Sequence, residues 1–260
     1  VFAFSAPASR AQAPARVKAS TAVKTDRVVI AELVDANRIL ASLGILDSYG
    51  HVSARSPSHP DHFFLARSIA PGLVTAEDIL EFDAEGEPVV PTHVLLYRER
   101  YLHAAVYKAR RDVDAVDHDH SATVLPFSVT QTPLRAVTHD AAFLGQGVPV
   151  FDGDPDDSNP GLQISSMALG AAMTAKLGAG PVLLIRGHGE VVLGASIAEA
   201  VSRAVNVEKN CRVELQALAL GGPIKFITPA ETAGRAKLAA SNPEFRDWDD
   251  LRRRYGVDSK

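Results

Sequence analysis

The segment Val116-Asp117-His118-Asp119-His120-Ser121 constrains this chain more than any other stretch. It closes an apolar run that begins at Val113 and reads as a β-strand, and residues two apart on a strand share a face. His118 and His120 therefore point the same way and can bind one divalent metal at adjacent coordination positions. Asp117 and Asp119 point the other way, as surface groups or as partners behind the histidines rather than as ligands. His188, in Arg186-Gly187-His188-Gly189, is a third candidate ligand, and a carboxylate, Glu99, precedes His118 by nineteen residues. Taken singly, the histidine pair also fits ordinary hydrogen-bonded histidines, and Gly187-His188-Gly189 fits a tight turn with an incidental histidine. Together they describe an open three-histidine site with a nearby acid or base. Closed structural zinc sites are usually thiolate-rich, so the arrangement suits an enzyme.

The single cysteine, Cys211, excludes an intramolecular disulfide and any thiolate-rich metal site. A net charge of -4 gives no bulk attraction to nucleic acid or to an anionic membrane, so neither is expected as a partner. No apolar run beyond the N-terminal segment reaches bilayer-spanning length. Residues 1–25 read as a separate arm. Val1 to Pro14 is rich in Ala, Pro and Ser and carries an Ala-x-Ala pattern, which fits either the remnant of a secretory signal or a disordered arm. The first reading implies a periplasmic or secreted protein, the second a cytoplasmic one.

From residue 26 to residue 260, helical and extended patterns interleave without a clean linker or an internal repeat, which predicts one α/β domain. Helices are expected over Asp26–Leu43, Tyr97–Arg110, Ser165–Leu177 and Ile197–Leu218. A short turn-and-strand unit is expected over Tyr49–Arg55, and strands near Phe63–Ala66, Asp78–Phe82, Val113–His120, Pro181–Arg186 and Glu190–Gly194, with short apolar pieces at Ala141–Leu144 and Val148–Phe151. The glycines beside His188 let the backbone turn sharply between two strands and let a ligand approach. His103 lies one helical turn after Glu99 and reads as a packing residue or a partner behind the site. His139 reads as a surface-loop histidine, and Glu99, flanked by Arg98 and Arg100, also fits a solvated helix position.

The ordered set is more specific than its parts. Glu99, then His118-x-His120-Ser121, then Gly187-His188-Gly189 with Val191-Val192-x-Gly194 resembles the class II aldolase/adducin family. Gly50-His51-Val52-Ser53-Ala54-Arg55 is similar to that family's Gly-Asn-x-Ser-x-Arg strand, and Thr75-Ala76-Glu77-Asp78 to its Thr-x-Glu-Asp turn. The resemblance runs from about Ile30 to Thr228. It implies a single three-layer α/β/α domain with a largely antiparallel central sheet, and a cyclic homotetramer with sites at subunit interfaces. It also implies that His118, His120 and His188 bind the metal and that Glu99 is the catalytic acid/base. Three neutral imidazoles suit Zn, Mn, Fe or Co.

The departures from the family pattern bear on substrate. Members acting on sugar phosphates hold the phosphate with Gly-Asn, Ser-Gly and Ser-Ser pairs. The matching places here read Gly50-His51, Arg67-Ser68 and Tyr97-Arg98. A compact cradle has become bulky and cationic, and arginine forks match planar carboxylates. His51, Arg67, Ser68 and Arg98 are thus the expected substrate-binding residues, although Arg67 and Arg98 alone also fit solvated surface arginines. The pattern resembles a decarboxylase-like branch acting on hydroxylated aromatic or pyridine dicarboxylic acids. It implies a metal-dependent carbon–carbon lyase, favoured as a decarboxylase of a hydroxylated aromatic carboxylic acid. The alternatives are a class II aldolase cleaving a non-phosphorylated hydroxy-carbonyl substrate, a three-histidine zinc hydratase, and a non-catalytic adducin-like interaction module, the last expected to lack the histidine set.

Overall fold

The computed structural model describes residues 24–153, 162–241 and 246–256. The N-terminal arm expected over residues 1–25 lies outside the described residues apart from Lys24 and Thr25. Seven strands form one sheet: β1 (His51–Arg55), β2 (Phe63–Ala66), β3 (Ile79–Phe82), β4 (Ala115–Asp119), β5 (Val150–Phe151), β6 (Val182–Ile185) and β7 (Gly189–Gly194). Their order is β3-β2-β1-β4-β7-β6-β5, and every neighbouring pair is antiparallel except β5 with β6. The helices are α1 (Asp26–Ser42), α2 (Arg100–Ala109), α3 (Leu125–Val129), α4 (Met167–Leu177), α5 (Ile197–Leu220), α6 (Pro229–Ser241) and α7 (Arg246–Tyr255).

Strand alternation divides the core into two layers around the sheet. Phe63, Leu65, Val116, Leu183, Val191 and Leu193 pack on one face with Leu102 and Val106 of α2 and Met173 and Leu177 of α4. Val52, Ala54, Phe64 and Ala115 face the other way, onto Leu33 and Leu40 of α1 and Ala200 and Ala204 of α5. Val182, Leu184 and Val192 meet Val207 and Cys211 of α5 on the same side. This is the three-layer α/β/α arrangement with a largely antiparallel sheet.

Central β4 lies between β1 and β7, and its register sets His118 opposite both His51 and Val191. His118 thus stands on the face covered by α2 and α4. Asp117 and Asp119 take the opposite face with Glu190, which β7 places directly across from Asp119. All three are fully buried. The surface reading of Asp117 and Asp119 therefore fails, because α5 closes over that side of the sheet. No oxygen of Asp117 or Glu190 finds a hydrogen-bond partner outside this cluster. Burial, followed by repulsion between neighbouring carboxylates, pushes the carboxyls of Asp117 and Glu190 well up.

The helix expected from Tyr97 begins instead at Arg100, with Glu99 as its N-cap residue. The Tyr97 hydroxyl donates to the Ile69 carbonyl, which ties the preceding turn down outside the helix. At the other end of the domain, α5 runs to Leu220 and inserts two polar residues under the loop before β5. Asn210 Oδ1 accepts from the backbone N–H of Val137 (2.9 Å) and Thr138 (3.1 Å), and Glu214 Oε2 accepts from that of Arg135 (3.2 Å).

Glu214 is fully buried and its second carboxylate oxygen has no partner. Burial pushes its carboxyl up to about 7, against the lowering effects of the Arg135 backbone and side chain. A carboxyl whose folded-state pKa is raised leaves stability intact below its unfolded pKa and erodes it as pH rises through the folded value. Glu214→Gln should therefore change stability little near pH 4.5 and raise it by roughly 1–3 kcal/mol at pH 8. Urea melts at the two pH values test this, and an equal effect at both would contradict it.

Candidate metal centre and active site

His118 is the penultimate residue of β4, His120 follows just beyond the strand, and His188 occupies the turn between β6 and β7. Their ring centroids lie 5.0, 5.0 and 4.9 Å apart, so the sheet brings all three histidines to one point. The turn carrying His188 depends on its two glycines. Gly187 sits at φ +62, and a Cβ on Gly189 would stand 1.9 Å from the Asp119 carbonyl oxygen. The close approach of the β6–β7 turn to the end of β4 is possible only without that side chain.

Each imidazole is oriented through Nδ1. His118 Nδ1 lies 2.9 Å from the Glu190 carbonyl, His188 Nδ1 2.7 Å from the Leu162 carbonyl, and His120 Nδ1 3.1 Å from the Asp47 carboxylate. These oxygens only accept, so each ring donates from Nδ1 and keeps a lone pair on Nε2. Leu162 reaches its position at φ 55, a left-handed backbone that costs a non-glycine residue about 1–2 kcal/mol.

The three Nε2 atoms converge. His188 Nε2 and His120 Nε2 are 3.1 Å apart, and His118 Nε2 is buried without a hydrogen-bond partner. Lone pairs facing one another at that distance repel unless a cation lies among them. The donor set therefore fits a divalent metal, with three neutral imidazoles and room for further ligands. Among the described residues Glu99, His118, His120 and His188 form one of two groups whose ligand atoms are close enough to share an ion.

Glu99 is 5% exposed. Its Oε1 accepts from the Ile164 backbone N–H at 3.1 Å, and its Oε2 lies 3.4 Å from His118 Nε2 and 3.5 Å from His188 Nε2. Burial opposes its charge, but where His118 and His188 carry positive charge they outweigh burial and hold its carboxyl well below the usual range. Glu99 thus sets a buried carboxylate beside the point where the histidines meet.

A cavity of about 520 Å³ opens from this cluster. His51, Ser68, Arg98, Glu99, His120 and His188 supply its polar groups, while Tyr49, Ile69, Leu95, Leu96 and Tyr97 make much of its wall. Of the expected substrate-binding residues, His51, Ser68 and Arg98 line it. Arg67 does not: its Nε donates to Asp78 at 2.7 Å, and Asp78 is fixed in turn by the Thr75 capping box. Arg55, in the same strand pattern as His51, anchors carbonyls of Arg110 and Val113 at 2.9 and 3.0 Å instead of facing the cavity. His103 is drawn into the site from α2, with Nε2 2.8 Å from His51 Nδ1, and burial lowers its imidazole pKa to about 3. His139 stays at the surface beside Asp140.

Sequence reasoning missed Asp47, Leu162 and Ile164. Asp47 had a local signal, because Asp47-Ser48-Tyr49-Gly50 is an Asx turn in which its carboxylate accepts from the Tyr49 and Gly50 backbone N–H groups. Leu162 and Ile164 act through backbone atoms and leave no residue-type signal.

A seven-stranded sheet between helical layers, with three histidines and a glutamate gathered at the end of its central strands, defines an α/β protein of the class II aldolase kind. Residues 31–215 match the class II aldolase and adducin N-terminal domain, and the chain belongs to the class II aldolase/adducin family. Its curated relatives place it in the decarboxylase-like branch. It is 34% identical over 244 residues to the decarboxylase tropJ of Talaromyces stipitatus, covering 85% of this chain and 91% of that protein. It is 31% identical over 230 residues to the 3,4-dihydroxyphthalate decarboxylase of Terrabacter sp., covering 83% and 92%. An aldolase II superfamily protein from Pseudomonas syringae shares the fold at a TM-score of 0.74 and 24% identity, over 90% of this chain and 94% of that one.

The orienting acceptors give the site a test. Asp47→Ala should weaken zinc binding by roughly 10–100-fold, the scale for losing a group that orients a ligand histidine. Asp47→Asn, which keeps an acceptor, should cost less, and His188→Ala should bind least. Titration against a chelating dye measures all three, and zinc affinity unchanged in His188→Ala would remove that residue from the metal set.

Proposed function

We propose that this protein is a metal-dependent carbon–carbon lyase that decarboxylates a hydroxylated aromatic carboxylic acid. The observation that carries the reading is the convergence of three Nε2 lone pairs on one point beside a buried carboxylate, at the end of an apolar-walled cavity that holds an arginine. His118, His120 and His188 would hold one divalent ion, with Zn, Mn, Fe and Co all compatible with imidazole ligands. When bound, that ion supplies Lewis-acid stabilisation of negative charge on the substrate's oxygens.

The chain's own residues do the rest. Glu99, held ionised, takes the proton of the ring hydroxyl. The ring–carboxylate bond then breaks, its electron pair stays on the ring carbon, and Glu99 returns the proton there as carbon dioxide leaves. The product oxygen regains a proton from solvent, which balances the reaction. Arg98, on the cavity wall, would hold a carboxylate of the substrate by charge-assisted hydrogen bonds. The walls formed by Tyr49, Leu96 and Tyr97 suit a flat ring and limit water around the bond that breaks.

The decarboxylases among the relatives support this reading over aldol cleavage of a hydroxy-carbonyl compound, the second reading. The same site would serve that reaction, with Glu99 moving the enediolate proton. A panel of hydroxybenzoic and hydroxyphthalic acids should yield carbon dioxide, and sugar phosphates should be cleaved little. Glu99→Gln should lower turnover by about 100-fold or more, the scale of a lost general acid/base, with metal content kept. Efficient aldol cleavage with no carbon dioxide from any aromatic acid would transfer the assignment to the aldolase.

We further propose a homotetramer with the cavity near a subunit interface. Tyr49 and Leu95 line the cavity and remain 73% and 75% exposed, and Val90 nearby in sequence is also 75% exposed. Large apolar side chains this open at a site mouth suit contact with a second subunit. Light scattering should give about four times the chain mass, and a monomer at working concentration would refute the assembly.

A further inference from the structure

We propose that His51 is a hydrogen-bond donor to the substrate, fixed in that role by a buried chain of His103, Ser53 and Tyr107. The identity of the acceptor, a carboxylate oxygen, rests on the lyase reading above; the direction of the chain rests on geometry alone.

His51 and Ser53 lie two apart on β1 and share the face that meets α2. His103 and Tyr107, one helical turn apart on α2, reach them. Tyr107 Oη lies 2.8 Å from Ser53 Oγ, Ser53 Oγ lies 2.6 Å from His103 Nδ1, and His103 Nε2 lies 2.8 Å from His51 Nδ1. All four side chains are buried, with Ser53 and His103 fully so. The chain ends at His51 Nε2, on a ring that lines the cavity between Tyr97 and His118.

Each link has room for one hydrogen, so the chain runs in one of two directions. In the first, Tyr107 donates to Ser53, Ser53 to His103 Nδ1, and His103 Nε2–H to His51 Nδ1. Every buried donor then has an acceptor, and the His51 proton sits on Nε2, toward the cavity. In the second, His51 Nδ1–H donates to His103 and His103 Nδ1–H to Ser53, and one hydroxyl hydrogen, of Tyr107 or of Ser53, is left over. Its neighbourhood offers little to accept it. The Arg55 guanidinium, 4.9 Å from the ring centre, has only donors, and Phe63 packs beside it. The Val116 backbone, also beside the phenol oxygen, is directly opposite Ser53 in the β1–β4 ladder. The Arg55 N–H to Asp114 carbonyl bond sets the phase of that ladder, so Ser53 and Val116 exchange both their backbone hydrogen bonds. Leaving a buried hydroxyl hydrogen unpaired costs more than a paired hydrogen bond returns. The first direction is therefore the stable one.

A neutral imidazole presenting N–H at this place recognises an anionic oxygen without bringing a second positive charge next to the metal. It stands where sugar-phosphate members carry an asparagine, whose amide can present either a donor or an acceptor. His51 is thus a substrate-binding residue, and His103, Ser53 and Tyr107 are positioning residues that act through it.

The direct test is the tautomer. Zinc-loaded protein labelled with 15N-histidine should show His51, assigned by its loss in His51→Asn, with a protonated Nε2 and an unprotonated Nδ1 in long-range proton–nitrogen correlation spectra. The opposite pattern overturns the proposal. For a substrate acid, His51→Phe should raise KM by roughly 10- to 100-fold, the scale of a hydrogen bond to a charged group, with zinc content kept. His51→Gln, which retains a donor, should recover part of that loss. Ser53→Ala, which removes the hydroxyl that donates to His103 Nδ1 and so frees the His103 proton from Nε2, should mix the two His51 tautomers. It should also raise KM about 3- to 10-fold, the scale of one neutral hydrogen bond, with kcat little changed. A merely structural Ser53 would leave the His51 spectrum as it is, which counts against the chain. The spectrum needs no turnover. A protein inactive on every aromatic acid but with His51 protonated on Nε2 would refute the lyase reading while supporting the chain's direction.

Discussion

Three imidazoles committed at Nδ1 to oxygens that can only accept are the constraint on which the rest of the site depends. Once Glu190, Leu162 and Asp47 have fixed the rings, the Nε2 lone pairs have nowhere to point but toward one another. The fold supplies this frustration deliberately in the sense that no single element could. One acceptor comes from β7, one from the loop ahead of α4, and one from the turn ahead of β1. The energy of assembling mutually repelling groups is met by helical packing on both faces of the sheet, and a bound cation converts the repulsion into attraction.

The reverse side of the same strands carries a second concentration of like groups. Asp117 and Asp119 alternate with His118 and His120 along the end of β4 and lie with Glu190 of β7 under α5. Their effect differs in kind, because burial favours the neutral acids and protons relieve the crowding. The central strands therefore have acid behind and imidazole in front, an arrangement a plain apolar strand could not give. Apolar residues of similar shape at these positions would pack at least as well, as replacement of buried polar clusters generally allows.

Much of this was legible in the chain itself, for definite reasons. Strand alternation put His118 and His120 on one face, and Gly187 and Gly189 marked the turn that carries His188 close to them. The strands and the long helix α5 follow from uninterrupted apolar periodicity. Other features were illegible because they depend on distant or backbone partners. Leu162 is 26 residues from the histidine it orients. Arg67 looks like a cavity cation in sequence, but Asp78 holds it from the neighbouring turn. Alternation correctly turned Asp117 and Asp119 away from the metal face; that the second face is buried depends on α5, some eighty residues on. Glu99 was placed within a helix, whereas the anchored Tyr97 makes it the residue that opens one.

The stretch from Leu162 to Ile164 joins the two halves of the site. The Leu162 carbonyl orients His188, Gln163 lines the cavity, and the Ile164 N–H holds Glu99. Three consecutive residues thus touch one of the converging histidines, the cavity and the buried carboxylate. By thermodynamic linkage, a molecule in the cavity that orders this stretch tightens the hold on the ion by the same factor that the ion tightens the hold on it. The two affinities are then not independent quantities. Drift in this short stretch would shift both together, so a family that keeps its histidines could still tune occupancy and substrate capture through a backbone segment that contributes no ligand side chain.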